Sequence, residues 1–340
     1  MAKIHYIIQG AGSIGSALGA FLHKAGMPVT LIARKPHVVA IRQQKGLAIT
    51  TLSGDEIVAV QAATSFEELP NLDNAIIFQT MKAPDTRDGI EQIAAIGRDF
   101  PVVCCQNGVG SEELASTALS SVYAGVIRFT ATLTQPGAVS FAGSGKIILG
   151  KYPAGSDELV EKIAVDLSRT PLHVITSASI MEDKWLKVLV NLISGIRPLT
   201  RKVPGEERKR TRLCKNVLQE GISVLHAAGI SARSTNGTED SAEEMLAKFE
   251  STLALADGKG QGMALRNSTW QSLAHSKKTL ENDWYTGKII ELGEAQDVPT
   301  PYNSAVLEAL HACTRNELGP ESVDIDDILI KASRFTTNRK

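Results

Sequence analysis

Residues 4–24 read IHYIIQGAGSIGSALGAFLHK, and this stretch decides the fold of the first half of the chain. Ile4 to Gln9 is a run of strand character, and Ser13 to Lys24 carries helical spacing closed by Gly26. Between them Gly10-Ala11-Gly12-Ser13-Ile14-Gly15 forms a G-x-G-x-x-G pattern, which becomes specific when it follows a strand and opens a helix. In that context Gly10 permits a tight turn, Gly12 lets a pyrophosphate approach the backbone, and Gly15 lets helix and strand close on each other. The unpaired N–H groups and dipole at the helix start attract the phosphates. All six residues are therefore candidate dinucleotide contacts. Gly143-Ser144-Gly145-Lys146 lacks the first glycine and the following hydroxyl of a phosphate loop and reads as a hairpin turn.

Outward from this motif, further strands are predicted over Val29 to Ala33, Ala75 to Gln79 and Val102 to Gln106, with a helix over Asp88 to Arg98. Short apolar runs alternating with helices imply an α/β domain with a doubly wound parallel sheet of Rossmann type. The end of its second strand separates the two nicotinamide cofactors. An acid there binds the adenosine ribose hydroxyl, whereas a cation accommodates a 2′-phosphate. The sequence has Leu31-Ile-Ala-Arg34-Lys35, with Arg34 where the acid would stand. A guanidinium matches phosphate in a planar, bidentate way. The expected cofactor is NADP(H), the other reading being a solvated cation pair.

From Ser121 to Gly150 the pattern is strand-rich, with turns at Gln135-Pro136-Gly137 and Gly143-Ser144-Gly145 predicting hairpins that finish the domain. Helical spacing then dominates: Glu158 to Arg169, Ser179 to Ile193, Glu206 to Ala228, Ser241 to Ala256, Lys277 to Gln296, and a segment from Pro301 to Gly319. The expected division is a dinucleotide-binding domain over 1–176 and an all-α substrate domain over 177–335, as 340 residues suggest at roughly 150 per domain. Gly258, Gly260 and Gly262 mark Ala256 to Leu265 as a candidate mobile loop or surface connector.

Composition narrows the function. Lys and Arg (36) nearly balance Asp and Glu (37), so no broad basic field exists to hold nucleic acid or an anionic membrane. Four cysteines without a CxxC or disulfide framework suit a reducing compartment, and no secretory signal or spanning apolar run is visible, so a cytoplasmic location is expected.

Nicotinamide supplies hydride, so the protein must supply orientation, charge stabilisation and a proton. Met181 to Ile193 is apolar around most of a helix, except that Lys184, Lys187 and Asn191 fall at roughly 0°, 300° and 340°. Such a stripe suits a cleft, where a desolvated lysine can donate a proton near neutrality. The same spacing also fits a solvent-facing stripe with a snorkelling lysine.

Several further stretches carry a family likeness. These are Thr80-Met-Lys82, Gln106-Asn107-Gly108-Val-Gly110, Gln135-Pro-Gly-Ala-Val, Lys187-Val-Leu-Val-Asn191, Glu281-Asn-Asp283-Trp-Tyr-Thr-Gly287 and Val298-Pro-Thr-Pro-Tyr-Asn. With the glycine motif, they make the chain resemble the ketopantoate reductases (2-dehydropantoate 2-reductases) over most of its length. The resemblance implies a Rossmann domain and a helical domain enclosing NADPH and ketopantoate, with Lys187 as catalytic acid and Glu281 hydrogen-bonded in the reaction centre. It further implies that Asn107 lies near nicotinamide and substrate, that Lys82 lines the cofactor cleft, and that Asn191 and Thr269 contact substrate. Two departures stand out. Gly195 occupies the place of a second asparagine, with Pro198-Leu-Thr displaced by Ile196-Arg197, so Arg197 becomes a candidate for the carboxylate; and Trp270 follows Ser268-Thr269 where a smaller residue is usual.

The expectation is an NADP-dependent oxidoreductase reducing a small-molecule 2-oxo acid, ketopantoate to pantoate in pantothenate biosynthesis, and forming a homodimer. A related reductase acting on another 2-oxo acid or an imine, as opine-type enzymes do, is the runner-up. A non-catalytic NADP(H)-sensing protein is the alternative from another class.

Overall fold

In the computed structural model of the chain, residues 3–141, 143–254, 267–275 and 279–337 are described. They fall into two compact units, Met1–Met181 and Glu182–Lys340. The expected mobile loop at 256–265 lies outside the described residues.

The first unit runs β1 (His5–Gln9), α1 (Ser13–Lys24), β2 (Val29–Ile32), α2 (Lys35–Gln43), β3 (Leu47–Thr51), β4 (Gly54–Val58), β5 (Gln61–Ala63) and β6 (Ala75–Gln79). It continues with α3 (Thr86–Ala94), β7 (Val102–Cys104), α4 (Ser111–Ser116), β8 (Val122–Arg128), β9 (Ala131–Gln135), β10 (Ala138–Phe141), β11 (Gly145–Lys151), α5 (Glu158–Leu167) and β12 (Leu172–Thr176). Eight strands form one sheet in the order β12-β11-β8-β7-β6-β1-β2-β5. Pairing is parallel from β5 through β8, whereas β11 runs antiparallel to β8.

The central strands are apolar because both faces are covered. On β1, Tyr6 and Ile8 join a core with Leu18, Phe21 and Leu22 of α1 and Val160 and Ile163 of α5. Ile7 faces the other way, with Ile77 of β6, Ile90 and Ile93 of α3 and Ala115 of α4. Helices thus cover both faces of a doubly wound sheet. Chain order reverses at β1, with β2 and β5 on one side and β6, β7 and β8 on the other. In such sheets ligands bind at this switch point, beyond the carboxyl ends of the strands.

A second sheet, ordered β4-β3-β10-β9, was not expected. The turn at Gln135-Pro136-Gly137 does join an antiparallel pair, β9 and β10. That hairpin belongs to the small sheet, where β10 also pairs in parallel with β3. The Gly143-Ser144-Gly145 stretch carries the chain from the small sheet to the large one and closes no hairpin. The small sheet covers the outer side of α1: the rings of Phe21 and Phe141 meet edge to face with centroids 4.8 Å apart.

The second unit is helical: α6 (Ile180–Ser194, which begins at the end of the first unit), α7 (Ile196–Leu199), α8 (Glu207–Ala227), α9 (Ala242–Ala254), α10 (Ser268–Ala274), a 3-10 turn at Glu281–Trp284, α11 (Thr286–Ala295), α12 (Pro301–Arg315) and α13 (Ile325–Thr337). Helix α8 packs against α7, α9, α11, α12 and α13. It also approaches α6 closely at Gly221, where a Cβ would lie 2.6 Å from Leu192 Cδ1. Two predicted helices move: the one expected over Asp88–Arg98 is α3, and the stretch expected to be continuous over Lys277–Gln296 is broken at Tyr285, whose φ of −130° and ψ of −58° separate the 3-10 turn from α11. No helix of the described residues is long and apolar enough to cross a membrane.

Candidate active site

The glycine loop sits at the switch point, between the ends of β1 and β6. Gly10 adopts φ +84°, and a Cβ there would lie 2.6 Å from the backbone nitrogen of Met81, so both the turn and the close approach require glycine. Gly15 is excluded from carrying a side chain for a second reason: its Cβ would lie 2.2 Å from Thr80 Oγ1 and 2.8 Å from Ile8 Cγ2. Gly12 differs. Apart from the Gly10 carbonyl at 3.8 Å, nothing lies near a Cβ placed on it. It caps α1 without a side-chain hydrogen bond, leaving the helix start to an incoming anion.

Neighbouring strand ends hold this loop. The N–H groups of Gly10 and Ala11 donate to Ile32 O at 3.0 and 2.9 Å. Thr80 donates its hydroxyl to Gly10 O at 3.2 Å, and its N–H to Gln9 O at 2.9 Å. Within α1, Ser16 donates to Ala11 O at 3.3 Å and lies 3.0 Å from Nε2 of buried His37, whose Nδ1 accepts the Gly137 N–H at 2.8 Å. That acceptance leaves the Nε2 hydrogen to point at Ser16. Ser13 Oγ accepts the Leu133 N–H of β9 at 3.0 Å, while Ile14 is half-buried beside the main core.

Sequence reasoning missed a row of amides beneath the loop. Gln106 donates to Gln79 Oε1 (3.3 Å), Gln79 donates to Gln9 Oε1 (3.2 Å), and Gln9 donates to Gly89 O (3.0 Å). All three glutamines are buried. They link the ends of β1 and β6 to the segment just after β7, and their signal was a glutamine at or just past the end of each apolar strand. Lys82 and Asn107 follow β6 and β7, both half-buried.

Arg34 and Lys35 are exposed at the end of β2, and neither forms an ion pair among the described residues. A further signal is legible in retrospect: residues 1–54 contain no Asp or Glu at all, against the six cations Lys3, Lys24, Arg34, Lys35, Arg42 and Lys45. An open helix start, a side-chain-free approach at Gly12 and cations without a carboxylate fit a nicotinamide dinucleotide.

The helical unit gathers the remaining candidates. Lys187 and Asn191 are half-buried one turn apart on α6, and Lys184 is fully buried beside Asp183. Asp183 accepts the N–H and hydroxyl of Thr235 at 3.0 and 2.6 Å. At the other end of α6, Asn267 donates Nδ2 to Ser194 O at 2.7 Å while its Oδ1 caps α10 by accepting the Trp270 N–H at 3.0 Å. This bond brings Thr269, 3% exposed, alongside Gly195. Glu281 is 8% exposed in the 3-10 turn. Its neighbour Tyr285 has its pKa pushed up by burial and by the Glu281 carboxylate, although a hydrogen bond with Thr269 opposes this. Thr269, Glu281 and Tyr285 therefore form one buried polar cluster. Arg197, the candidate for a substrate carboxylate, instead lies 3.5 Å from Glu207.

The pattern of the ketopantoate reductase PanE/ApbA family matches residues 6–154, and that of its C-terminal part matches residues 179–314. The chain belongs to this family. It is thereby an oxidoreductase of the 2-dehydropantoate 2-reductase type. The 2-dehydropantoate 2-reductase of Pyrococcus abyssi is 31% identical to it over 303 residues, 87% of this chain and 93% of that one. A ketopantoate reductase of the family from Ralstonia eutropha superposes with a TM-score of 0.77 at 25% identity, covering 93% of this chain and 100% of the other. D-mandelate dehydrogenase, solved with NADH and anilino(oxo)acetate, has the same fold: TM-score 0.77, 24% identity, 93% and 100% covered.

Proposed function

We propose that the protein reduces 2-dehydropantoate to pantoate with NADPH. The single observation that supports this reading is the approach, in the helical unit, of Gly195, which continues the spacing of Lys187 and Asn191, to buried Thr269 and to Asn282 beside Glu281. When bound, the nicotinamide cofactor would supply a hydride to the carbonyl carbon. Lys187 Nζ stabilises charge developing on the carbonyl oxygen and delivers the proton that makes it a hydroxyl. Glu281 orients that amine and offsets its charge, while Asn107, Asn191 and Thr269 hold the substrate oxygens. In the first unit Gly10 to Gly15 cradle the diphosphate, Lys82 lines its path and Arg34 takes the 2′-phosphate. The residues suit a small-molecule substrate; a homodimer in the cytoplasm completes the reading.

A second reading, reduction of a different 2-oxo acid, is favoured by Gly195, which leaves that end of the face without a side chain, and by half-buried Trp270 next to Thr269. One assay separates the two. NADPH absorbance is followed while ketopantoate and a panel of other 2-oxo acids are added. Turnover of ketopantoate with the highest kcat/KM is expected. Turnover of another oxo acid without ketopantoate would establish the second reading, and no turnover of any would remove both.

A further inference from the structure

The helical unit buries a hydrogen-bond donor that nothing above uses. Asn282 stands in the 3-10 turn between Glu281 and Asp283 and is 2% exposed. Its Nδ2 has no hydrogen-bond partner among the described residues. Leaving an amide donor buried and unpaired is costly, and native proteins keep few of them.

The position of that donor is specific. A Cβ built on Gly195 would lie 3.1 Å from Asn282 Nδ2, 3.7 Å from Leu310 Cδ1 and 3.9 Å from Thr269 Cγ2. Gly195 has φ −78° and ψ −19°, a conformation open to any residue. Backbone strain therefore does not call for glycine here, and a Cβ would be accommodated only if the Asn282 amide gave by a few tenths of an ångström. Gly195 also continues the i, i+4 spacing of Lys187 and Asn191, the spacing that carries the proposed proton donor. The hydroxyls of Thr269 and Tyr285 are engaged with each other, and Arg197 is engaged with Glu207. Asn282 Nδ2, by contrast, has no partner among the described residues.

We infer that Asn282 recognises the substrate, its Nδ2 donating to the carboxylate of the 2-oxo acid beside Gly195. An amide has no proton to surrender, so it suits an oxygen that stays unprotonated through the reaction, which is the carboxylate and not the carbonyl. This inference rests on the proposed reduction of a 2-oxo acid.

Asn282→Leu tests it, because leucine is close in size and removes the donor. It also removes the unpaired buried amide, so Tm should hold or rise. The KM for the oxo acid should increase about 10-fold or more, as expected for losing a hydrogen bond to a charged group, while KM for NADPH stays within about 2-fold. The preference for the oxo acid over the methyl ketone lacking its carboxylate should narrow by a similar factor. Gly195→Ala, which crowds the amide without deleting it, should raise the oxo-acid KM in the same direction. An unchanged KM and unchanged acid-to-ketone preference in Asn282→Leu would overturn the assignment. So would a fall in Tm with loss confined to kcat, the mark of a purely structural role. If the wild-type protein oxidises NADPH with no 2-oxo acid at all, the proposed function itself fails, an outcome read before either variant is made.

Discussion

Replacing Arg34 by serine should change which nicotinamide cofactor the enzyme prefers. Arg34 stands two residues beyond Ile32, whose carbonyl anchors the N–H groups of Gly10 and Ala11, so its position relative to the diphosphate loop is fixed by backbone hydrogen bonds. It is exposed and forms no ion pair among the described residues. Two unit charges about 4 Å apart attract by roughly 1 kcal/mol in water and about 4 kcal/mol near a protein surface, and hydrogen bonds to charged groups contribute about 1.5–3 kcal/mol. Exposure and the neighbouring Lys35 place the loss at about 1.5–2.5 kcal/mol, or roughly 10- to 70-fold in kcat/KM for NADPH at about 1.4 kcal/mol per tenfold. NADH carries no 2′-phosphate, so its kcat/KM should stay within about 2-fold. Arg34→Asp should go further, adding repulsion of the phosphate and an acceptor for the ribose hydroxyl. The assay is initial-rate kinetics with each cofactor at about 0.05 and 0.5 M salt, since a surface contact is screened. Equal loss with both cofactors, or a wild-type preference for NADH, would refute the argument.

Lys187→Ala should lower kcat by two or more orders of magnitude, the range for losing a positioned general acid, while NADPH binding, followed by fluorescence titration, stays near normal; retained turnover would remove Lys187 as proton donor. Gly15→Val should weaken NADPH binding at least 10-fold and cost about 1–3 kcal/mol in chemical denaturation, because its Cβ would meet Thr80 Oγ1 at 2.2 Å and force α1 off the sheet. Burial lowers the pKa of His37 from 6.5. Between 6.5 and that lower folded value the unfolded chain binds a proton that the folded chain refuses, so stability present above pH 6.5 is lost as pH falls, by at most about 1.4 kcal/mol per unit. Denaturation midpoints at pH 7.5 and 5.5 should therefore differ more in the wild type than in His37→Gln; equal differences would show that His37 does not titrate in this window.

Local pattern made the nucleotide end legible. The β1-loop-α1 unit announces itself because strand, turn and helix follow within a few residues, each with its own periodicity, and the glycines that the fold requires are in the motif. Strands β3 and β4 escaped for the opposite reason: four of the five residues of β4 are exposed, so no alternation marks it, and its partner β3 finds the rest of its sheet in β10, far along the chain. The glutamine row is tertiary in the same sense, since Gln9, Gln79 and Gln106 look unremarkable until the sheet order sets β1, β6 and β7 side by side. In the helical unit, α6 was readable from its apolar circumference, yet the stripe did not foretell that Lys184 would be buried and Lys187 only half so.

Gly195 is the sharpest case, because alone in the sequence it reads as the loss of a polar contact. Asn282, flanked by two acids, carries no signal of its own in the sequence. Folding sets one against the other, so that the side chain absent between α6 and α7 lies beside an amide brought in from the 3-10 turn. The chemistry available at that spot is therefore a property of the pair. A variant restoring a polar side chain at 195 should work only if residue 282 gives way: Gly195→Asn alone drives its Cβ to 3.1 Å from the amide, whereas Gly195→Asn with Asn282→Ala has space for the new group. Measured as kcat/KM for the oxo acid, the double variant should exceed the Gly195→Asn single variant. If the two substitutions are instead additive in free energy, the sites are independent and the compensation argued from their contact does not exist.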